Sequence, residues 1–539
     1  MVTQHLLLAA LRNPQIDVYF RDRPYFKKSW QVSNSIFNPE DRNQINSVNA
    51  PPFDKQIDIT LRFSFPSDTT PAFQSRQTWV YVVHEFPQPS QGLFSFWSDI
   101  EILRELPRQR QHPANETEAA PSSTLDMQQV FITSPSQWAA SLLQRQGLDK
   151  ERIAVVPHGV DNKLFRPLDR QSANDLERRS LTRARHGLQE NDFVFTNVSG
   201  MFFNKGIDIL ASAFYQVARQ HENAHLLLKG SDDLYHSMES FDHELSRVPQ
   251  IERDFIKSRM HYFGYTLDNE GMADIYRASD VYISPYRAEG FNIPVLEAIA
   301  SGLPVICTAG GPTEEFTNSD FCWTIKSEIG TPDVTNLDSP ISLMPDKEHC
   351  AALMLAAVDD EHWRQHARAC GPQWAQRYTW DIILQQYKEV FTNHLDRYPD
   401  LPPTLARSGL EDYTKQLFDA KRYQELITLA DSSPPDSYNN NAGSIANLKL
   451  YAAISASLIR EFEVADKLYM EAIDLQPQNP TIPYNRALML ANSGQRETAA
   501  HALREVAENF PDFQEAREGL QKLEIILSDN SDQTQADKT

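Results

Sequence analysis

Residues 281–304, reading VYISPYRAEGFNIPVLEAIASGLP, constrain this chain more than any other stretch. Val281 to Pro285 is a short apolar, β-branched run of the kind that forms a buried parallel strand, and Arg287 to Phe291 makes a turn at its C-terminal end. A helix is expected next, with Asn292 as its N-cap, Pro294 in the first turn, and Gly302 followed by Pro304 as the stop. Two carboxylates then occupy different settings: Glu289 sits in the loop before the helix and Glu297 about one turn inside it. The free N–H groups of a helix start favour a phosphate, and carboxylates accept hydrogen bonds from sugar hydroxyls. One element could grip a nucleotide sugar at both ends.

In full, Glu289-Gly290-Phe291-Asn292-Ile293-Pro294-Val295-Leu296-Glu297 is followed by Ala298, Ala300, Gly302, Pro304 and Val305. This pattern resembles the signature of the retaining group-1 glycosyltransferases, whose GT-B fold has two Rossmann-like domains. Upstream, Val155 to Pro167 (VVPHGVDNKLFRP) resembles that family's interdomain segment, with Gly159 giving a tight turn after a strand. Between the two, Ser199 to Asp208 (SGMFFNKGID) resembles the family loop Gly-Arg-x-x-x-x-Lys-Gly-x-Asp, whose Arg and Lys bind the donor diphosphate. Lys205 is in place. The arginine is absent, with Gly200 or Met201 nearest in register, so Lys205, a helix start and any cation from another loop must neutralise the leaving group.

The resemblance implies roles residue by residue. Lys205, the N–H groups around Gly290 and Phe291 and the helix start would hold the diphosphate. Glu297 would accept the ribose hydroxyls and Glu289 those of the transferred sugar. His84, at the end of a strand, would lie near the reacting carbon, and Tyr265, in the turn Phe263-Gly264-Tyr265, would stack on the base. Apart from the resemblance, Lys205 also reads as a surface lysine, His84 as a structural histidine and Tyr265 as a packed aromatic. No metal is implied. His362 and His366 are four apart on an expected helix but lack the Glu of a zinc-protease motif, and Ser231-Asp232-Asp233 reads as a loop capping a helix.

The chain's 539 residues leave room for about three domains, and a formal charge of −22 disfavours nucleic acid and anionic membranes as partners. The 4 cysteines, without a C-x-x-C, suit a reducing compartment. With no apolar run long enough to span a bilayer and no signal peptide in Leu6 to Leu11, a cytoplasmic location is expected.

Reading from the N-terminus, Leu6, Leu7, Ala10 and Leu11 recur at helical spacing, and Ile16 to Phe20 reads as a strand. A Rossmann-like half ordinarily opens with a strand and a Gly-rich turn, so either the reading frame starts upstream or this domain lacks that loop. Ile57–Phe65, Trp79–His84, Val130–Thr133 and Ile153–Val156 read as further strands. Leu93, Phe96, Trp97, Ile100 and Leu103 form an apolar stripe that suits core packing better than a membrane surface, and His112 to Ser123 reads as a loop. Strands then alternate with helices at Phe193–Val198, Leu226–Lys229, Met260–Phe263, Val281–Ser284, Pro304–Cys307 and Cys322–Ile325, as in a doubly wound parallel sheet. An amphipathic helix over Trp374–Phe391 should return to the first domain.

Past residue 400 the signal changes to a repeat. Ala453, Ala465 and Pro477 recur 34 positions later as Ala487, Ala499 and Pro511, with Tyr469 and Ala472 at other positions of a tetratricopeptide-like unit. Residues 411–430 read as an earlier degenerate unit, Phe513 to Leu527 as a capping helix and the polar tail as disordered.

The expected organisation is α/β, with two Rossmann-like (GT-B) domains at 1–165 and 166–372, a returning helix and linker at 373–400, an all-α tetratricopeptide-repeat region at 401–528 and a tail at 529–539. The expected activity is transfer of a sugar from a nucleoside diphosphate sugar, with retention and without a metal, to a glycan, lipid or protein, with a protein partner at the repeats. The rival reading is a scaffold that has lost turnover. A glycosidase fits less well, because only Glu289 would lie beside the sugar; an epimerase of the same fold is separable by its release of free sugar.

Overall fold

The computed structural model describes residues 2–20, 36–51, 55–63, 67, 72, 75–86, 130–145, 148–331, 341–397, 410–419, 421–431 and 442–536. The chain divides into two compact units, one formed by Met1–Asn49, Ile59–Thr69 and Thr78–Pro399, the other by Ala50–Asp58, Thr70–Gln77 and Asp400–Thr539. The apolar stripe Leu93 to Leu103, the loop His112 to Ser123 and the linker Tyr398 to Pro403 lie outside the described residues.

Two sheets carry the α/β part. The first contains β1 (Ile57–Arg62), β2 (Ser75–Tyr81), β3 (Val130–Ser134) and β4 (Ile153–Val155) in that order, with β2–β3 and β3–β4 parallel. Every residue of β3 is buried, which explains its unbroken apolar and small-polar sequence. Ile16 to Phe20 is not a strand. Its apolar residues cover a helix instead: Val18 and Phe20 pack on Leu7, Leu8, Phe37 and Ile45, and Phe20 N–H donates to Asn49 O at 3.1 Å.

The second sheet contains β5 (Phe193–Val198), β6 (Ala224–Lys229), β7 (Met260–Phe263), β8 (Val281–Ser284), β9 (Val305–Thr308) and β10 (Cys322–Ile325). Their spatial order is β10-β9-β8-β5-β6-β7, and every pairing is parallel. The chain winds outward one way from β5 to β7, then returns to the other side of β5 for β8. In open α/β sheets such a reversal marks the ligand crevice beyond the strand ends, here those of β5 and β8. The helix Ile207–Gln220 buries Ile207, Leu210, Phe214 and Val217 against one face. A short antiparallel pair, β11 (Ser327–Gly330) with β12 (Ser342–Pro345), follows β10. Each strand has four residues, too little pattern for prior recognition.

The crossing from the first sheet to the second runs beside the return. Val160 N–H donates to Tyr378 O at 2.8 Å, and a Cβ on Gly159 would lie 2.7 Å from the Trp380 ring. The returning helix is Trp380–Arg397, and it packs on Leu6, Ala9 and Val156 through Trp380, Ile383 and Tyr387. The continuous helix expected over Trp374–Phe391 is broken at Thr379, which is extended and accepts Ile382 N–H on its hydroxyl at 3.3 Å.

The remaining described segments are helices in antiparallel pairs: Leu410–Asp419 with Tyr423–Asp431, Ala442–Leu458 with Phe462–Leu475, and Thr481–Asn492 with Arg496–Asn509. The sequence period of 34 is also a structural period: Phe462–Leu475 and Arg496–Asn509 begin and end 34 positions apart. So do the turns before them, where Arg460 (φ 62°) and Gly494 (φ 92°) are left-handed. Glu461 N–H donates to Ala456 O and Gln495 N–H to Leu490 O, at 2.8 and 2.9 Å. Lys421 (φ 57°) with Arg422 N–H on Leu417 O repeats this turn in the degenerate pair. Ala453, Ala465, Ala487 and Ala499 are fully buried, as close helix crossings require. The last helix runs from Gln514 to Ala536, past the expected start of a disordered tail, and no Gly or Pro after Gly519 interrupts it. No helix among the described residues is long and apolar enough to cross a membrane.

Candidate functional site

The turns after β5 and β8 carry Lys205 and Glu289, so both residues stand at the crevice where the winding reverses. Met201, one of the two residues nearest in register to the absent arginine, is left-handed (φ 57°) and fully buried in the core with Phe195 and Leu210. That strained position, which costs roughly 1 kcal/mol, anchors the loop and presents no cation. Gly206 is left-handed too, at φ 67°, and a Cβ there would lie 2.0 Å from Pro285 O. Only glycine lets the Lys205 turn rest on the β8 turn.

Arg287 then fastens the two turns. Its backbone N–H and that of Ala288 donate to Asn204 O at 2.7 and 3.2 Å. Its guanidinium donates to both carboxylate oxygens of Asp208 at 2.7 Å, to Phe203 O at 2.9 Å, and lies 4.3 Å over the Phe203 ring. The result places Lys205 Nζ 2.8 Å from Glu289 Oε1.

Residues following β2 and β3 of the first sheet close on the same point. A Cβ on Gly290 would lie 2.0 Å from Val83 Cγ1, so the β8 turn touches the segment after β2 directly. Ser136, after β3, donates its hydroxyl to Gly290 O at 2.6 Å. Glu85 Oε2 accepts from Asn204 Nδ2 at 2.9 Å, and Glu85 Oε1 is 3.9 Å from Lys205 Nζ. Glu315, after β9, accepts the N–H groups of Gln137 and Trp138 at 2.8 and 2.7 Å, capping the helix Gln137–Arg145 from across the seam.

Burial pushes the Glu289 carboxyl up to about 7 against the lowering pull of Lys205, while Glu85 adds to the rise. Burial works to lower Lys205, but Glu289 and Glu85 outweigh it and hold the ammonium above the usual lysine range. Glu297, on the helix Ile293–Ala300, is buried; burial raises it to about 7, and the hydrogen bond from Tyr276 OH, 2.7 Å from Oε2, opposes the rise.

The remaining expected residues fall in three settings. Asn292 occupies the N-cap position but is left-handed (φ 78°) and caps nothing with its side chain; its Nδ2 donates to Ser284 Oγ at 3.1 Å and so fixes both ends of the Glu289 loop. Phe291 is packed between Phe316, stacked at 4.6 Å, and His158, edge-on at 5.1 Å, so only its backbone is offered to a ligand. His84 is buried between Val83 and Glu85, and burial lowers it to about 4, keeping the imidazole neutral. Tyr265 stands beyond β7 at the sheet's edge, two strands from Lys205, with 47% of its surface exposed and its ring nearly parallel to His186 at 6.4 Å.

Sequence reasoning passed over Glu85, Asn204, Arg287, Ser136 and Tyr276. Position gave the clue for two of them: Glu85 follows His84 after a strand end, and Arg287 shares the turn of Glu289. Asp232 opens the helix Asp232–Tyr235 and accepts Met238 N–H at 2.8 Å from the next helix, Ser237–Ser246.

The family model for glycosyl transferases group 1 matches residues 192–326, a span holding Lys205, Tyr265, Glu289 and Glu297. Mannosylfructose-phosphate synthase of Agrobacterium fabrum is 28% identical over 183 residues, 34% of this chain and 38% of that protein. D-inositol 3-phosphate glycosyltransferase of Segniliparus rotundus is 30% identical over 182 residues, 32% of this chain and 35% of that protein. The chain thus spans little more than a third of the length of these two relatives. Among solved structures, Anabaena HepE in complex with UDP and glucose aligns with a TM-score of 0.42 at 16% identity, covering 59% of this chain and 72% of that one. With the strand order, the Lys205 turn and the Glu289-to-Glu297 element in place, residues 192–326 are a group 1 glycosyltransferase domain.

Proposed function

We propose that this chain is a glycosyltransferase that moves a sugar from a nucleoside diphosphate sugar to an acceptor, with retention and without a metal ion. The observation that carries this reading is the Lys205–Glu289 pair, 2.8 Å apart at the crevice between β5 and β8. Lys205 takes the departing diphosphate, and the N–H groups at Gly290, Phe291 and the start of the helix Ile293–Ala300 add partial positive charge. That fixed field can stabilise the leaving group as the glycosidic bond breaks through an oxocarbenium-like transition state. Glu289 accepts hydroxyls of the transferred sugar, Glu297 those of the ribose, and Tyr265 offers an exposed ring to the base. His84, a neutral imidazole, lies on the acceptor side. The relatives' names, a synthase and a glycosyltransferase, are of the same reaction class.

A second reading has one observation in its favour: Gly200 and Met201, the residues nearest in register to the arginine of the related loops, offer no cation, and Met201 is fully buried. On it, the body is a scaffold and the helical repeats, tetratricopeptide-like and open to a protein partner, are the working part. Hydrolysis of a panel of UDP-, GDP- and ADP-sugars by the full chain separates the two. Turnover abolished by both Glu289→Gln and Lys205→Ala supports the transferase; absence of turnover with every donor supports the scaffold.

A further inference from the structure

Among the described residues, Glu85 is the one carboxylate that the segment after β2 places at Lys205. Its Oε1 lies 3.9 Å from the ammonium while Oε2 accepts from Asn204, the residue just before Lys205, at 2.9 Å. On the other side of the same ammonium stands Glu289, 2.8 Å away. Lys205 is thus held between two carboxylates, and the three side chains together carry excess negative charge once both acids are ionised. A diphosphate brought to this ammonium meets net repulsion, strong because Lys205 and Glu289 are only 15% and 12% exposed. Of the two acids Glu289 is fixed by burial, whereas the Glu85 side chain is 35% exposed and has water to move into.

We propose that Glu85 is the gate of this site: an internal anion on the acceptor side that holds Asn204 and Lys205 when no donor is bound, and that the donor's diphosphate must displace. Glu85 thereby couples departure of the diphosphate to reclosure of the seam. The proposal rests on the donor reading given above and adds to it a residue with no part in holding the sugar.

The test is calorimetric titration of the full chain with UDP, GDP and ADP, and with the matching nucleosides. Glu85→Gln keeps an oxygen for Asn204 and removes the charge; Glu85→Ala removes both. The nucleoside diphosphate that binds wild type is expected to bind Glu85→Gln about five- to tenfold more tightly, the scale of one partly screened charge at this distance. Nucleoside affinity should not change, and Glu85→Ala should bind the diphosphate at least as tightly as Glu85→Gln. Equal or weaker diphosphate binding by Glu85→Gln overturns the gate and leaves the donor reading intact. Equal tightening toward the nucleoside also overturns it, because Glu85 would then act on closure and not on phosphate. If no diphosphate binds wild type or Glu85→Gln, the donor reading itself fails and the gate with it.

Discussion

Lys205 and Glu289 lie 84 positions apart in sequence, and their charged atoms are 2.8 Å apart in the structure. Neither loop alone accounts for this. The contact follows from the reversal of winding between β5 and β8 and from the Arg287 guanidinium that ties the two turns together.

The first consequence is a pH dependence. Glu289 titrates near 7 and Lys205 pulls it down, so donor turnover should rise as pH increases through about 7 and the carboxylate forms. In Lys205→Met that pull is gone, and the midpoint should move upward. A pH–kcat/KM profile of wild-type donor hydrolysis checks the first, and carbon-13 NMR titration of the Glu289 carboxyl in wild type and Lys205→Met checks the second; a midpoint unmoved or lowered in the variant contradicts the pairing.

Glu297 makes a stability prediction. Its carboxyl is raised to about 7 in the folded chain, above its ordinary value of 4.5, so its contribution is fully present below about 4.5 and is lost as pH rises through 7. Across that window it amounts to on the order of 3 kcal/mol. Glu297→Gln cannot titrate, so its thermal midpoint should gain on wild type between pH 5 and pH 8. A constant difference between the two proteins would contradict the assignment.

Gly290 touches the segment after β2 so closely that its substitution is a test of the seam. Gly290→Ala should lower turnover by at least about tenfold, since a misplaced turn costs orientation. Val83→Ala removes the Cγ1 that the new Cβ would strike, and the double variant should recover most of the loss. No recovery would mean that the two segments do not meet in the working protein.

In the helical pairs, Gly494 is left-handed with open space where a Cβ would go, and Arg460 holds the equivalent place 34 positions earlier. Gly494→Ala should therefore destabilise by about 1 kcal/mol from backbone conformation alone, and Arg460→Gly should stabilise or be neutral. Thermal unfolding followed by far-ultraviolet circular dichroism of the full chain reads both signs.

Much of this was legible beforehand because buried parallel strands are written as short runs of apolar, β-branched or aromatic residues. Phe193–Val198, Met260–Phe263, Val281–Ser284 and Cys322–Ile325 fall where that pattern put them. Ile16 to Phe20 carries a similar signal and is no strand, since apolar residues covering a helix look alike in one dimension. The repeat was legible through alanines and prolines recurring 34 positions apart, whereas the far end of the last helix was not, because a polar sequence without Gly or Pro is compatible with either helix or coil. At the site, motif residues announced themselves and their fasteners did not. Arg287, Asn204 and Glu85 matter through partners that only the folded topology supplies.

The most direct measurement is titration of wild type and Lys205→Ala with UDP, GDP and ADP, alongside the corresponding nucleosides. At least one diphosphate should bind wild type and lose about tenfold or more in affinity in Lys205→Ala, with nucleoside binding unchanged. Binding of that diphosphate with equal affinity by both proteins, or by neither, would contradict a site built around Lys205.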